Sequence, residues 1–236
     1  MKPIIGIIPS FNYDAESPFK CINKIQVTYS DKLLKAGALP IILPVVDGKI
    51  NIEELEICDG FLLPGGSVIT KAAITAVCYA MRENKPILGI CLGMQTLACY
   101  DYLYDEINGK SLEEIQRNFD PTCEKYFLRQ ITGHDNNNPF KLENISSSYH
   151  HITIEKGTLK NLFGESLEVI SAHNFALDKT PKHFEIVAKA EEIIEAIESE
   201  NALGVQFHPE IEDRYMPIFT DFTKKVLKKT KPHMFK

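Results

Sequence analysis

The chain contains the stretch PILGICLGMQ at residues 86–95, and this stretch decides the interpretation of the fold. Pro86 to Ile90 is a short apolar run, which is typical of a strand buried on both faces of a parallel sheet. Beyond Cys91, the apolar residues Met94 and Leu97 recur at helical spacing. The stretch therefore predicts a strand that turns directly into a helix at Cys91.

Strands and helices continue to alternate from this stretch back towards the N-terminus. Further buried strands are predicted at Ile4–Ile8, Leu39–Leu43 and Asp59–Leu63, and helices at Ile25–Ala36 and Lys71–Arg82. Such alternation is typical of an α/β protein with a doubly wound, mostly parallel sheet.

The second half of the chain adds strands of a more antiparallel kind. They are predicted at Tyr149–Ile154, Leu167–Ile170, Phe184–Ala188, Ile193–Ile197 and Ala202–Gln206, followed by a helix at Asp213–Lys229. Residues 101–148 are polar and turn-rich, loosest at Asp135–Pro139, so we expect a long loop with one short helix at Ser111–Asn118. Because neither a linker nor an internal repeat is visible, the sequence predicts a single domain over residues 1–236.

Composition narrows the class of protein. Of the 236 residues, 44% are hydrophobic and 25% are charged, as in a globular protein, and the net charge of −6 argues against a nucleic-acid binder. The sequence lacks a signal-peptide pattern and the run of about 20 apolar residues that a membrane helix needs. The six cysteines form neither a CxxC pair nor a zinc-like cluster, so we expect reduced thiols in a cytoplasmic protein.

Two glycines flank Cys91, Gly89 two residues before it and Gly93 two residues after it. This is the Gly-x-nucleophile-x-Gly pattern of a nucleophile elbow, where the turn is so tight that side chains at the glycine positions would collide with the backbone. The start of the following helix favours a thiolate nucleophile. The alternative is a buried cysteine at an ordinary strand–helix junction, which the pentapeptide alone leaves open.

A second motif, GVQFHPE at residues 204–210, follows the last predicted strand. His208 stands at the carboxyl end of that strand, where open α/β sheets bind their ligands, and Glu210 is near enough to fold back on the imidazole. Cys91, His208 and Glu210 would then be the nucleophile, the base and the orienting carboxylate. Taken alone, His208 is more often a structural histidine.

A third motif, LPGGS at residues 63–67, follows the third strand. Its consecutive glycines expose backbone N–H groups at the edge of the sheet where the nucleophile is expected. We predict that the N–H groups of Gly66 and Leu92 form the oxyanion hole that an acyl-transfer enzyme needs. An ordinary type II turn is the alternative.

Taken in order, PGG at 64–66, GICLGMQ at 89–95 and QFHPE at 206–210 resemble the signature of class I glutamine amidotransferases. The closer resemblance is to their γ-glutamyl hydrolase branch, the peptidase C26 group, which includes γ-glutamyl-γ-aminobutyrate hydrolases. The resemblance covers nearly the whole chain. It implies the flavodoxin-like fold of that superfamily. It also implies a catalytic triad of Cys91, His208 and Glu210, with Gly66 as an oxyanion donor.

The resemblance also implies a function. It indicates a cysteine-dependent amide hydrolase that cleaves a γ-glutamyl amide, or glutamine itself, through a γ-glutamyl thioester on Cys91. Substrate contacts are expected from Gly65, Gln95 and His173. Neither a metal nor an organic cofactor is expected. The expected partner is a small γ-glutamyl substrate, without nucleic acid or membrane, and the possibility of a homo-oligomer stays open.

Two other functions stay open. The chain could be an amidotransferase subunit that delivers ammonia to a separate synthase, or a catalytically silent regulatory protein on the same fold. Departures from the hydrolase branch fall on specificity loops: Leu92 replaces a common Arg, Asn174 replaces a second His, and residues 67–73 shorten the loop after PGG. The leaving amine is therefore left undetermined.

The pair His150–His151 is a further candidate for chemistry. Adjacent residues at the start of a strand point to opposite faces, so the two imidazoles cannot readily bind one metal. We therefore predict a structural or surface role for both.

Overall fold

The structure is a computed structural model that describes residues 2–13, 21–132 and 148–230. Its strands are β1 (Ile4–Ile7), β2 (Ser10–Tyr13), β3 (Cys21–Lys24), β4 (Leu39–Ile42), β5 (Gly60–Leu63), β6 (Ile87–Ile90), β7 (Leu128–Gln130), β8 (Tyr149–Ile154), β9 (Ser166–Ile170), β10 (Phe175–Leu177), β11 (Glu185–Ala190), β12 (Ile193–Glu198) and β13 (Ala202–Val205). Its helices are α1 (Val27–Lys35), α2 (Ile52–Glu56), α3 (Lys71–Arg82), α4 (Leu92–Tyr102), α5 (Tyr104–Ile107), α6 (Leu112–Asn118), α7 (Gly157–Phe163) and α8 (Met216–Lys229).

Nine of these strands form one sheet in the order β4-β1-β5-β6-β13-β12-β11-β8-β9. Neighbouring strands from β4 to β13 run parallel, and neighbouring strands from β13 to β9 run antiparallel. We call β4, β1, β5, β6 and β13 the parallel half, and β12, β11, β8 and β9 the antiparallel half. The predicted α/β class with an added antiparallel portion is confirmed.

Helices cover both faces of the parallel half, because successive residues of a strand point to opposite sides. In β5, Phe61 belongs to a core that includes Ala76 of α3 and Leu97 of α4. The next residue, Leu62, belongs to a second core that includes residues of α1 and α8, among them Leu33. The sheet is therefore doubly wound, as the alternation of strands and helices predicted.

The prediction of a long loop over residues 101–148 is wrong for the part that the structure describes. Residues 101–132 hold the end of α4, α5, α6, a 3-10 turn and β7. Helix α6 begins with a capping box between Ser111 and Glu114 and buries Ile115 in the core beside α3. The short helix predicted at Ser111–Asn118 is present as α6, whereas α5, the 3-10 turn and β7 were missed because each is short and contributes few apolar residues. The stretch Asp135–Pro139 lies outside the described residues.

Several elements were not predicted from the sequence. They are the β2–β3 hairpin, α2, α7 and the two-stranded pair of β7 with β10. The last predicted helix also begins later, because Asp213–Tyr215 forms a 3-10 turn before α8. Within the described ranges, the helices are all too short or too polar to cross a membrane.

Candidate functional site

Cys91 occupies the sharp turn between β6 and α4. Its backbone has φ 53° and ψ −106°, a conformation that side-chain-bearing residues rarely adopt and that costs about 1–3 kcal/mol. The turn is held by two backbone hydrogen bonds. The Cys91 N–H donates to Val205 O at 2.8 Å, and the Gln95 N–H donates to Cys91 O at 3.2 Å. The strained cysteine is thus fixed between the parallel sheet and the first turn of a helix.

The flanking glycines are required by space. A Cβ atom at Gly89 would lie 2.6 Å from the backbone of Gly93, and a Cβ at Gly93 would lie 2.3 Å from the carbonyl oxygen of Leu63. Both distances are far below any van der Waals contact, and the opposing atoms are backbone atoms that cannot swing away. The geometry agrees with the steric argument made from the sequence.

His208 and Glu210 lie beside Cys91. The Nδ1 atom of His208 is 2.8 Å from Oε1 of Glu210, and both side chains are buried. This contact leaves Nε2 for the cysteine, whose side chain His208 also hydrogen-bonds. Burial lowers the pKa of His208, but the charges of Glu210 and Cys91 outweigh burial and hold that pKa well above its usual value. The predicted nucleophile, base and carboxylate therefore come together in one connected group.

The LPGGS loop lies against this group. A Cβ atom at Gly65 would be 2.9 Å from Cε1 of His208, and one at Gly66 would be 2.9 Å from Cδ2 of Leu92. Leu92 is the first residue of α4, so its N–H has no carbonyl partner within the helix. Gly66 and Leu92, the predicted oxyanion donors, are therefore neighbours, and their role stays a prediction.

Tyr29 is a site residue that the sequence analysis did not single out. It lies on α1, and its hydroxyl oxygen accepts a hydrogen bond from the Gly65 N–H at 3.0 Å. The N–H of Gly65, a predicted substrate contact, is thus already used within the protein. The sequence around Tyr29 contains no motif that marks this tyrosine as a site residue.

Two glutamine side chains connect Cys91 to β10 through hydrogen bonds. Gln206 donates through Nε2 to Sγ of Cys91 at 3.8 Å and accepts from Nε2 of Gln95 at 3.2 Å. Gln95 also donates to the carbonyl oxygen of Phe175 at 3.2 Å. Gln95, a predicted substrate contact, therefore lies close to the sulfur. Gln206 stands in the quoted QFHPE motif but was not predicted as a site residue.

His173, the third predicted substrate contact, belongs to a second buried cluster, which shares the Phe175 carbonyl oxygen with Gln95. Its Nδ1 donates to Phe175 O at 3.0 Å, and its Nε2 lies 3.7 Å from Oε1 of Glu195. His150 lies on the other side, with Nε2 3.3 Å from the same oxygen. Glu195 is fully buried. Burial would raise its pKa, but hydrogen bonds and charge from the two histidines prevail and lower it to about 2.

The cluster settles where the two adjacent histidines point. His150 faces Glu195, whereas His151 is exposed. The expectation that the two imidazoles point to opposite faces agrees with the structure. His150 has a structural contact inside the antiparallel half.

The other described cysteines differ from Cys91 in their surroundings. Burial raises the pKa of Cys58 to about 11 and that of Cys78 to about 12, so both stay thiols. Cys99 and Cys123 contact each other, with Sγ atoms 3.7 Å apart. Within the described residues, Cys91 is the cysteine that contacts a histidine paired with a carboxylate.

Comparisons with known proteins agree with this fold. The sequence model of the Peptidase C26 family matches residues 3–73 and 70–210. A Rickettsia prowazekii protein named as glutamine amidotransferase-like is 29% identical over 89% of this chain and 91% of its own length. CTP synthase 1 of Danio rerio is 27% identical over 81% of this chain but only 34% of its own length.

Solved structures show the same fold at low sequence identity. A Thermoplasma acidophilum protein described as a GMP synthase subunit superposes with a TM-score of 0.60 at 17% identity, over 97% of this chain and 96% of that one. A glutamine amidotransferase of Thermotoga maritima superposes with a TM-score of 0.59 at 17% identity, over 97% and 86% of the two chains.

The fold and the sequence relatives define a protein of the class I glutamine amidotransferase-like superfamily, with a function of glutamine amidotransferase type. Within that class, the chain belongs to the Peptidase C26 family. It spans almost the full length of the Rickettsia prowazekii relative and about a third of the CTP synthase.

Proposed function

We propose that the protein hydrolyses a γ-glutamyl amide, or glutamine, through a thioester on Cys91. One observation carries this proposal: His208 contacts the Cys91 side chain with one edge of its ring and Glu210 with the other, at 2.8 Å. Such a connected nucleophile, base and carboxylate is the arrangement that covalent amide cleavage needs. Membership of the Peptidase C26 family supports the γ-glutamyl class of substrate.

The first half-reaction forms the thioester. His208 takes the proton of Cys91, and the thiolate attacks the γ-carbonyl carbon of the substrate. The carbonyl oxygen becomes negatively charged and accepts hydrogen bonds from the N–H groups of Gly66 and Leu92. When the tetrahedral intermediate collapses, the C–N bond breaks and the imidazolium of His208 gives its proton to the leaving amine.

The second half-reaction releases the product. A water molecule loses a proton to His208 and attacks the thioester carbon, and the C–S bond breaks in turn. The Cys91 sulfur leaves and recovers its proton from His208, so glutamate departs and the enzyme is regenerated. Glu210 holds the imidazole in the orientation that both halves require and stabilises its positive charge.

The experiment that tests this proposal is a panel of γ-glutamyl amides and glutamine, with glutamate release as the readout. We expect at least one compound to be turned over, and Cys91→Ala to lower kcat/KM by roughly 10⁴-fold or more. The matched control is Cys78→Ala, which removes a buried thiol remote from His208. Turnover that survives Cys91→Ala, or falls equally in both variants, would overturn the proposal.

A second candidate is delivery of ammonia to a separate synthase. The likeness of this chain to about a third of the Danio rerio CTP synthase favours it. Under this candidate, glutamine is the substrate and its hydrolysis is slow until the partner binds. Glutaminase activity that rises at least tenfold when a candidate synthase is added would support it. Rapid hydrolysis of a substituted γ-glutamyl amide by the isolated protein would instead support the free-standing hydrolase.

A further inference from the structure

We propose that Tyr29 is a positioning residue, whose hydroxyl couples the orientation of Glu210 to that of the glycine loop at Gly65 and Gly66. The inference rests on the proposed function, because it assigns a role within the same site. Tyr29 acts through its neighbours.

The first observation is the geometry of the hydroxyl. Tyr29 is fully buried on α1, and its oxygen accepts the Gly65 N–H at 3.0 Å. Because the N–H occupies a lone pair of the oxygen, the hydroxyl proton stays available for an acceptor. The negative charge of the Glu210 carboxylate acts on this hydroxyl and favours its protonated, donating form.

The electrostatics keep this hydroxyl a donor. Burial and then the negative charge of Glu210 raise the pKa of Tyr29 well above its usual value. The phenol therefore stays protonated at neutral pH. The Gly65 N–H thus donates to the Tyr29 oxygen, and the charge of Glu210 acts on the same hydroxyl. The His208 ring donates to the carboxylate of Glu210.

Gly65 is the point where these groups meet. A Cβ atom there would lie 2.9 Å from Cε1 of His208, 3.2 Å from the Tyr29 hydroxyl and 3.6 Å from Cβ of Cys91. Fixing the Gly65 N–H towards Tyr29 fixes the plane of that peptide, and so restricts where the next N–H, that of Gly66, can point. One hydroxyl thus restrains both the base and a predicted oxyanion donor.

The helix that carries Tyr29 is itself attached to the segment after His208. Lys32, one turn further along α1, is buried and forms an ion pair with Asp213. Lys35 of the same helix lies 3.5 Å from the same carboxylate, so two ion pairs join α1 to Asp213. Positioning by a rigid helix is the reason that a single hydroxyl can matter at the site.

The test compares Tyr29→Phe with a matched control, Tyr215→Phe. Tyr215 is also fully buried, and its hydroxyl donates to the backbone oxygen of Glu168 at 2.9 Å, away from the catalytic group. Each substitution removes one buried hydroxyl and keeps the ring. A comparable fall in thermal midpoint for the two variants shows that packing is affected equally.

The primary measurement is the rate at which iodoacetamide alkylates Cys91, followed by peptide mapping so that Cys91 is distinguished from Cys123. We expect Tyr29→Phe to slow this rate roughly tenfold, as for the loss of a hydrogen bond to a charged group, while Tyr215→Phe changes it less than twofold. Glu210→Gln should slow it as well. If Tyr29 acts through Glu210, the double variant is no slower than Glu210→Gln alone.

Hydrolysis of the γ-glutamyl panel supplies the second readout. We expect Tyr29→Phe to lower kcat by roughly 10- to 100-fold with little change in KM, since positioning affects the transition state more than binding. Alkylation that is equal in Tyr29→Phe and Tyr215→Phe, or effects that multiply fully in the double variant, would overturn the role of Tyr29. If the wild-type protein hydrolyses nothing in the panel, the proposed function fails, whereas the alkylation result still decides the role of Tyr29.

Discussion

Each half of the sheet buries a glutamate beside histidine, and the two pairs differ in their surroundings. At the parallel half, Glu210 contacts His208, and the imidazole contacts Cys91. In the antiparallel half, Glu195 lies between His150 and His173. The first group stands just beyond β13, where the carboxyl ends of parallel strands meet. The second group is centred on a residue within β12.

The comparison shows that position in the sheet, more than residue type, determines what a Glu–His pair can do. Glu210 follows a strand end, next to a turn that presents a strained cysteine, so its histidine has a nucleophile to activate. Glu195 lies within β12, and one of its carboxylate oxygens is 3.3 Å and 3.7 Å from the imidazole nitrogens of His150 and His173, which are the kind of polar partners that a fully buried carboxylate needs to remain ionised. We therefore expect Glu210 to govern activity and Glu195 to govern stability.

Glu210→Gln should give the largest effect. Loss of the carboxylate removes the partner that orients and charges His208, so we expect kcat/KM to fall by roughly 10³-fold, with a small change in thermal midpoint. Because Glu210 helps to raise the pKa of His208, the imidazolium persists to a higher pH in the wild type. The alkaline limb of the kcat/KM profile should therefore move to lower pH in the variant. An unmoved limb would contradict this assignment.

Glu195→Gln should lower the stability of the fold and leave the activity largely unchanged, the reverse of Glu210→Gln. The pKa of Glu195 is about 2 in the folded protein, against 4.5 as its usual value, so ionised Glu195 stabilises the fold above pH 4.5. The shift corresponds to at most about 3 kcal/mol, lost progressively as the pH falls from 4.5 to about 2. Urea unfolding at several pH values should show a gap between wild type and variant that narrows over this window.

Glu195→Gln also tests the contrast between the two Glu–His pairs in an activity assay. Since Glu195 contacts neither Cys91 nor His208, folded Glu195→Gln protein should keep kcat within about tenfold of the wild type. A loss as large as that of Glu210→Gln would show that the two pairs work as one unit, and the contrast between the halves would be wrong.

Ser111→Ala should have the smallest effect and calibrates the others. Ser111 caps α6, where its side chain accepts from the Glu114 N–H at 3.2 Å, in a segment outside both pairs. We expect the free energy of unfolding to fall by about 1 kcal/mol, with kcat unchanged. Denaturant titration and the hydrolysis assay together provide the check. Absence of any loss of stability would indicate that residues 101–132 contribute little to the folded core.

The sequence predicted the part of the fold that depends on local pattern. The apolar runs of β1, β5 and β6 are strong signals of buried parallel strands, and the glycines around Cys91 indicate a tight turn at one defined position. The same three motifs predicted which residues would stand at the carboxyl edge of the sheet. The order of those motifs identified the family.

The contacts that the sequence did not predict are nonlocal ones. Tyr29 meets Gly65 from 36 positions away, and nothing in the apolar spacing of α1 distinguishes this tyrosine from a core residue. The partners of Glu195 come from β8 and from the turn after β9, so their meeting depends on how the antiparallel strands pair. Within residues 101–132, the helix α6 was predicted, but α5, the 3-10 turn and β7 were missed because elements this short show no clear periodicity.

The hydrogen bond from the Cys91 N–H to Val205 O affects when the site can fold during synthesis of the chain. Strand β6 lies between β5 and β13, and β13 is contributed by residues more than 110 positions after Cys91. During synthesis, the strained cysteine turn cannot be held in place until residues 202–210 have emerged, and these residues also bring His208 and Glu210. In the nascent chain, Cys91 therefore lacks this backbone restraint, His208 and Glu210 until residues 202–210 have emerged.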